Sequence, residues 1–342
     1  MKNILLHYGS QFENSTLELL SGGLINQTWK VEANGESFIL QRINHQVFSD
    51  PQKIADNIRL LADHLKSINS NYKLIAPLKT TKRAELVREA DGYFRLSPFV
   101  KNSKTIHVVE TSAQAYEAAF QFGQFTQAFS KFNASQLQTT IPDFHNLKFR
   151  YQQFLDSLQN GNAQRLQACA EEIKEIEHYY FLVDQYVSAI HNPTFKQRVT
   201  HHDTKISNVL FDPSDKGICV IDLDTVMPGY FFSDIGDMMR TYLSPANEEE
   251  SDFTKIEVRP DYYHAIVQGY SDAMKDELSK EENSAFFFAG QFLIYMQALR
   301  FLTDYFNDDR YYGARYEHHN LIRAQNQLHL LRCFADSKLV EL

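Results

Sequence analysis

The 342-residue chain carries only three cysteines, Cys169, Cys219 and Cys333, far apart and with no CxxC pair or zinc-ligand spacing. That excludes a disulfide framework and a thiolate metal cage, and fits a reducing, cytoplasmic setting. Basic residues are also scarce: 34 lysines and arginines stand against 43 aspartates and glutamates, and nowhere do they form a block. The net charge of −9 repels a polyanion, so nucleic acid is not an expected partner. Long apolar runs are missing too. The N-terminal MKNILLHYGSQFENS has an apolar stretch too short for a signal-peptide core. The most apolar segment, AFFFAGQFLIYMQALRFL (285–302), is interrupted by Gln291, Gln297 and Arg300, so it reads as a buried helix and no membrane is an expected partner. Internal repeats and low-complexity tracts do not occur.

What is present suits a folded chain. Hydrophobic residues make up 43% and charged residues 23%, and the length fits one large or two modest domains. Residues 24–42 read as two strands around an ANGES turn, because β-branched and aromatic residues flank an Asn-Gly pair. A helix is expected over 51–68, from Asp50 as N-cap and Pro51 in the first turn, with Ile54, Ile58, Leu61 and Leu65 on one face. Strand-like pieces follow at 84–88 and 92–97. Beyond residue 100 the pattern turns helical: Ala118, Phe122, Phe125, Phe129 and Phe132 mark one buried face, and a similar stripe runs from Leu166 to Ile190. Two short apolar runs, NVLFD (208–212) and GICVIDLD (217–224), read as a small hairpin within this region. The change near residue 100 is the expected domain boundary.

Between the helices and that hairpin lies HHDTKISN (201–208), an H-x-D-x-x-x-x-N pattern formed by His201, Asp203 and Asn208. The spacing has a mechanical reason. An aspartate facing an acceptor hydroxyl can orient it and take its proton, while an asparagine five residues later can turn back towards magnesium on nucleotide phosphates. A further metal-binding aspartate should leave a nearby strand, and GICVIDLD supplies Asp222. If strand geometry continues, Asp224 points to the same side and offers a second ligand. An isolated HxDx4N occurs by chance, and Asp212-Pro213 is ordinary turn chemistry; the loop followed by a strand ending in DLD is the informative constellation. A metallohydrolase site at His201, His202 and Asp203 is disfavoured, because adjacent histidines do not converge on one ion and no HExxH occurs. His202 reads as a solvent-facing or locally hydrogen-bonded side chain.

With these segments the chain resembles the aminoglycoside phosphotransferase and choline kinase superfamily over nearly its whole length. The resemblance implies an α+β, bilobal protein-kinase-like fold. Residues 1–100 would form a small nucleotide-binding lobe with an antiparallel sheet and a helix, and 101–342 a larger, mainly helical lobe carrying the catalytic loop and substrate site. LSGGLINQTWKV (20–31) is similar to the family's nucleotide-binding loop, with Gly22 and Gly23 against phosphate and Asn26 at the following turn. FILQRI (38–43) resembles the strand carrying the phosphate-contacting cation, which would be Arg42, with Asp56 as a candidate partner. RLSPFVKNSKTI (95–106) resembles the segment linking the lobes, where backbone around Pro98, Phe99 and Val100 would face adenine. The resemblance implies ATP and Mg2+, with Asp203 as base and Asn208, Asp222 and Asp224 at the metal. Asp234 and Asp237 read as caps of the following helix.

Asp234 follows Asp222 by 12 residues, leaving no room for a long activation segment, and no A-P-E follows, so a small-molecule acceptor is expected. SGGLINQTW, FILQRIN, DTKISNVLFD, VIDLDTVMPG and RFLTDYFNDDRYY are most similar to N-acetylhexosamine 1-kinases. That likeness implies phosphorylation of the anomeric hydroxyl of N-acetylglucosamine or N-acetylgalactosamine, with Arg300, Asp304 and Tyr311 as candidate sugar contacts; Arg300 and Asp304 could equally be an i,i+4 pair. Choline, homoserine, methylthioribose and aminoglycosides are alternative acceptors. Outside this class, VIDLDTV also reads as the DxDx[TV] strand of a haloacid-dehalogenase-like phosphatase, with Asp222 as nucleophile and Asp224 as acid/base, although that fold places the motif before a doubly wound α/β domain. A DxD nucleotide-sugar transferase and a kinase-like binding module without turnover are further alternatives.

Overall fold

The computed structural model describes all residues except 21–25, 91, 338 and 340–342. A short helix, α1 (Lys2–Leu6), precedes β1 (Thr16–Leu20), β2 (Gln27–Ala33) and β3 (Glu36–Ile43); helix α2 (Pro51–Ser67) comes next, then β4 (Val87–Glu89) and β5 (Gly92–Pro98). The strands form one antiparallel sheet in the order β1-β2-β3-β5-β4. Asn34 and Gly35 both take positive φ, 51° and 79°, which closes the two-residue turn and pairs Ala33 with Glu36. Period-two alternation gives the sheet two faces. Val31, Leu40, Phe94 and Leu96 pack with Ile4, Leu5, Tyr8 and Phe12 into a small core, while Thr28, Ile39, Gln41, Arg95 and Ser97 line a cavity on the other side.

Helix α2 starts where Asp50 accepts the Gln52 N–H at 3.2 Å. Its apolar face, Ile54, Ile58, Leu61 and Leu65, joins the large core of the helical part rather than the sheet's own core. Asn57, fully buried, fixes that docking: Nδ2 donates to the carbonyls of Gln138 (2.8 Å) and Val226 (3.0 Å), and Oδ1 accepts the Gln138 N–H (2.8 Å).

After the edge strand β6 (Lys104–Thr105) come α3 (Ser112–Ala128), α4 (Leu147–Asn160), α5 (Ala163–Ala168), α6 (Ala170–His178) and α7 (Phe181–His191). The stripe from Leu166 to Ile190 is thus three helices, broken at Cys169 and at Tyr179–Tyr180. Short strands follow: β7 (Arg198–Thr200), β8 (Val209–Phe211), β9 (Gly217–Val220) and β10 (Met227–Gly229). Strands β8 and β9 form the hairpin, β6 joins β8, and β7 pairs with β10. Helices α8 (Phe231–Tyr242), α9 (Pro260–Met274), α10 (Lys280–Asn283), α11 (Phe286–Phe306) and α12 (His319–Ala335) complete the chain. Helices α3 and α9 cross closely at Gly123, where a Cβ would lie 2.7 Å from that of Ala273. Every strand pairing among the described residues is antiparallel, so the doubly wound parallel sheet needed by the phosphatase alternative is not found there. No helix among the described residues is long and apolar enough to cross a membrane.

Candidate active site

Residues 201–208 link β7 to β8 and are clamped from below by α8. Asp234 accepts the backbone N–H groups of His201 (3.0 Å) and His202 (2.7 Å), and Asp237 accepts that of Thr204 (2.7 Å). No side chain caps α8, which corrects the reading of these two aspartates as helix caps: they hold the loop. Burial pushes the Asp234 carboxyl up to about 7, against the lowering effect of the two N–H donors. The Thr225 hydroxyl donates to the His201 carbonyl at 2.6 Å.

The two histidines shape the loop from inside. His201 is fully buried, its ring 5.1 Å from Phe122 and 5.8 Å from Phe125, with Nε2 2.9 Å from the Ile221 carbonyl. His202 is buried rather than solvent-facing; it takes φ 66° and sits so close to Gly229 that a Cβ there would collide with its ring. Burial lowers both imidazoles, His202 to about 4, so neither is charged at neutral pH. Among the described residues no three His, Cys, Asp or Glu side chains converge as a metal cage.

Asp203 Oδ2 accepts from Lys205 Nζ (2.7 Å) and from Asn208 Nδ2 (3.0 Å). Burial opposes its ionisation, but the Lys205 charge and these hydrogen bonds outweigh it and hold the carboxyl below its ordinary range. Lys205 is raised in turn: burial works against its charge, and the Asp203 and Asp222 carboxylates overcome that. With Asn208 Nδ2 engaged, its Oδ1 has no protein donor among the described residues.

Strand β9 ends at Val220, and Asp222 takes the left-handed conformation, φ 61°, before a 3₁₀ turn over Leu223–Thr225. A non-glycine residue held there stores backbone strain of the kind concentrated at functional sites. This turn also breaks the alternation that would have put Asp222 and Asp224 on one side. The Asp222 carboxylate accepts no hydrogen bond from the described residues and borders the cavity; burial, then the Asp224 and Asp203 charges, push it up to about 7. Asp224 faces elsewhere. It is 2% exposed, accepts from Asn26 Nδ2 at 2.7 Å, and forms a buried ion pair with Arg95. Its oxygens are therefore spent on the sheet, which corrects the expectation of a free second ligand. Asp222 and Asn208 Oδ1 remain as the oxygens that could hold a magnesium ion.

The cavity above them measures about 1060 Å³ and is bounded by the inner face of the sheet, by Pro98, Phe99 and Val100, and by Asn208, Ile221 and Asp222. At the linker the Phe99 N–H is engaged by the Ser37 carbonyl (3.2 Å) and the Val100 carbonyl by the Ser103 hydroxyl (2.6 Å). Gly22 and Gly23 lie outside the described residues. Asn26 lines the cavity at a bend just before β2, and its amide bridges Asp224 and the Asn44 N–H (3.0 Å). Arg42 is exposed and shares the outer face with Leu40, so the expectation of a cleft cation there is corrected by strand parity: Gln41 and Arg95 point into the cavity. Asp56 likewise contacts Gln52, Gln138 and Arg59, not Arg42.

A second cavity, about 140 Å³, is lined by Arg150, Arg300, Asp304, Tyr311 and Tyr312 among others. Phe144 and His145 lie between its wall and the 201–208 loop, the His145 ring 5.2 Å from His202 and Phe144 5.5 Å from the Arg300 guanidinium. Arg300 and Asp304 are not an ion pair. Asp304 is buried and accepts the N–H groups of Tyr311 (2.8 Å) and Tyr312 (2.9 Å), fixing the segment after α11, so it holds the wall rather than facing a ligand freely.

Arg95, Lys205 and Arg150 escaped the sequence reading. Arg95 had a signal, a charge inside the apolar strand GYFRLSP; Lys205 lay in the quoted loop itself; Arg150 had none, since its cavity is built from distant helices.

The family model described as "Phosphotransferase enzyme family" matches residues 16–279. Among solved structures, a microcompartment-associated aminopropanol kinase superposes with a TM-score of 0.67 at 15% identity, covering 98% of this chain and 95% of that one. Choline kinase from Cryptosporidium parvum Iowa II gives 0.62 at 14% identity, covering 99% and 96%. Spectinomycin phosphotransferase in complex with ADP and spectinomycin gives 0.55 at 12%, covering 96% and 91%. At such identities the shared property is the fold: an antiparallel sheet in the N-terminal part and a mostly helical C-terminal part.

Proposed function

We infer the function from one premise: this chain belongs to the phosphotransferase enzyme family. It is a phosphotransferase with an alcohol group as acceptor, of the small-molecule and antibiotic kinase class. We propose that the donor is ATP with magnesium, bound in the large cavity with adenine beside Pro98–Val100 and the phosphates towards Asp222. The observation that carries this reading is the hydrogen-bonded set Asp203–Lys205–Asn208 on one loop, with Asp222 beside it at the cavity wall.

In this reading Asp203 accepts the hydrogen bond of the acceptor hydroxyl and aims its lone pair at the γ-phosphorus. Phosphoryl transfer passes through a loose transition state, so the hydroxyl keeps its proton until late and a carboxylate held below its ordinary pKa suffices. Lys205 neutralises charge between Asp203 and the transferring group. Magnesium supplies charge neutralisation on the phosphates; Asp222 and Asn208 Oδ1 would hold it. Arg95 and Asn26, through Asp224, keep the sheet over the cleft.

For the acceptor we propose the anomeric hydroxyl of an N-acetylhexosamine, N-acetylglucosamine or N-acetylgalactosamine, with that hydroxyl at Asp203 and the rest of the ring towards the small cavity beyond Phe144. Arg300 and Tyr311 supply donors and an aromatic surface there, as a neutral polar sugar requires, and Asp304 supports the wall. The test is the product. Incubation with ATP, magnesium and N-acetylglucosamine should give an acid-labile sugar 1-phosphate visible by phosphorus NMR; an acid-stable phosphate ester, or product only with choline, homoserine, methylthioribose or kanamycin, overturns the sugar assignment.

A further inference from the structure

Among the described residues, four lysines and arginines border the large cavity: Arg95, Lys104, Lys205 and Arg240. Three of them are committed elsewhere. Lys104 is half-exposed at the rim beside Asp215, Lys205 holds Asp203, and Arg240 is closed between Asp237 and Glu248. Arg95 differs. It enters from the inner face of β5; its Nε donates to Gln41 Oε1 (2.9 Å) and its Nη1 to Asp224, while its Nη2 makes no hydrogen bond with a described residue. Gln41 lies directly opposite Arg95 in the β3–β5 register and faces the same cavity. It is thus the inward-facing residue on the strand expected to carry a phosphate-contacting cation, and it is uncharged. The neighbouring Arg42 is exposed on the outer face.

A polyphosphate arriving beside Asp203 and Asp222 meets like charge, which a fixed cation nearby offsets. A guanidinium with two of its nitrogens engaged is held in one orientation, and the remaining donors can take a phosphate oxygen. Asp224, itself fixed by Asn26 (2.7 Å), keeps that guanidinium in place before any ligand arrives. The buried pair therefore does two things: it ties the sheet to the turn after β9, and it aims a charged donor into the cavity two residues from Asp222. We propose that Arg95 supplies the cation of the donor-phosphate site from β5, with Asp224 as its acidic partner, in place of a cation on β3. This rests on the reading of the large cavity as the nucleotide site.

The experiment measures binding of ATP and of adenosine by calorimetry, with magnesium and again with EDTA. The proteins are the wild type, Arg42→Met, and the double variant Arg95→Met with Asp224→Leu, which removes the cation without stranding its partner. The double variant should bind ATP about 10- to 100-fold more weakly in either buffer, and adenosine within about twofold of the wild type. Arg42→Met should match the wild type for both ligands. Adding Gln41→Lys to the double variant returns a cation to the same patch of the sheet and should recover most of the lost ATP affinity. Thermal unfolding checks that the variants fold. If the double variant does not, Arg95→Lys, which keeps the charge but not the fork, carries the test with an ATP loss of about 3- to 10-fold and adenosine unchanged. Equal losses on ATP and adenosine, a loss that vanishes in EDTA, no recovery with Gln41→Lys, or an ATP loss in Arg42→Met overturns the inference and leaves the kinase standing. A wild type that binds neither ligand overturns the nucleotide site and this inference with it.

Discussion

Asp224→Ala separates a structural aspartate from a metal ligand. Arg95 and Asp224 have side chains only 5% and 3% exposed, and Asp224 takes a further hydrogen bond from Asn26. Removing one member of such a pair leaves the other charge buried without compensation, at a cost of about 3–5 kcal/mol. The lost Asn26 bond adds about 0.5–1.5 kcal/mol. Against a total stability of about 5–15 kcal/mol, either single change should bring the protein close to unfolding. Replacing both, Arg95→Met with Asp224→Leu, removes the stranded charge and should cost less than either single substitution. Urea denaturation of the wild type, Arg95→Met, Asp224→Leu and the double variant, with slopes compared to check that unfolding stays two-state, gives the interaction energy. A loss below about 1 kcal/mol for Asp224→Ala, or single losses that simply add in the double variant, would refute the reasoning and return Asp224 to the metal.

Three further outcomes follow from the same geometry. Asp234→Ala strands two buried backbone N–H groups, so urea denaturation should show a loss of about 2–6 kcal/mol; a loss under 1 kcal/mol contradicts the clamp. Asp222, pushed up to about 7 in the folded state from 3.8, makes the native state bind its proton more tightly than the unfolded chain does. Its contribution is favourable at low pH and is lost as pH rises from about 4 through 7, so Asp222→Asn should gain on the order of 2–4 kcal/mol relative to wild type between pH 4 and 8; parallel stability curves contradict this. Lys205→Met removes the charge that lowers Asp203, so the acid limb of kcat/KM should move to higher pH; an unmoved limb means another group titrates.

Legibility in the sequence followed the range of the interactions. The Asn34-Gly35 turn, the Asp50-Pro51 helix start and the HHDTKISN loop are local, and each was visible as a unit because its residues act on neighbours a few positions away. The helical periodicity of Phe122 and Phe125 likewise exposed a buried face, though not that His201 lies against it. What failed was what the tertiary fold decides. Arg42 and Arg95 can be told apart only once the sheet's two faces are known, because one residue of register inverts a side chain. Asp224 finds Arg95 and Asn26 at separations of 129 and 198 residues, beyond any local pattern. Asp222 leaves the strand for a left-handed turn that no alternation anticipates. Asp234 and Asp237 looked like caps because acidic residues early in a helix usually satisfy its own N–H groups; here they satisfy those of another segment.

The central claim is that Asp203 serves the acceptor hydroxyl of a nucleotide-dependent kinase, and its most direct test is ADP release by Asp203→Asn beside the wild type. The assay would use ATP, magnesium and N-acetylglucosamine, with choline, homoserine, methylthioribose and kanamycin in parallel, and nucleotide binding measured separately. The account predicts acceptor-dependent ADP release by the wild type, and in Asp203→Asn a fall in kcat of about 10²- to 10⁴-fold with nucleotide binding retained. Undiminished turnover in Asp203→Asn, or a wild type that releases no ADP with any hydroxyl acceptor, contradicts it.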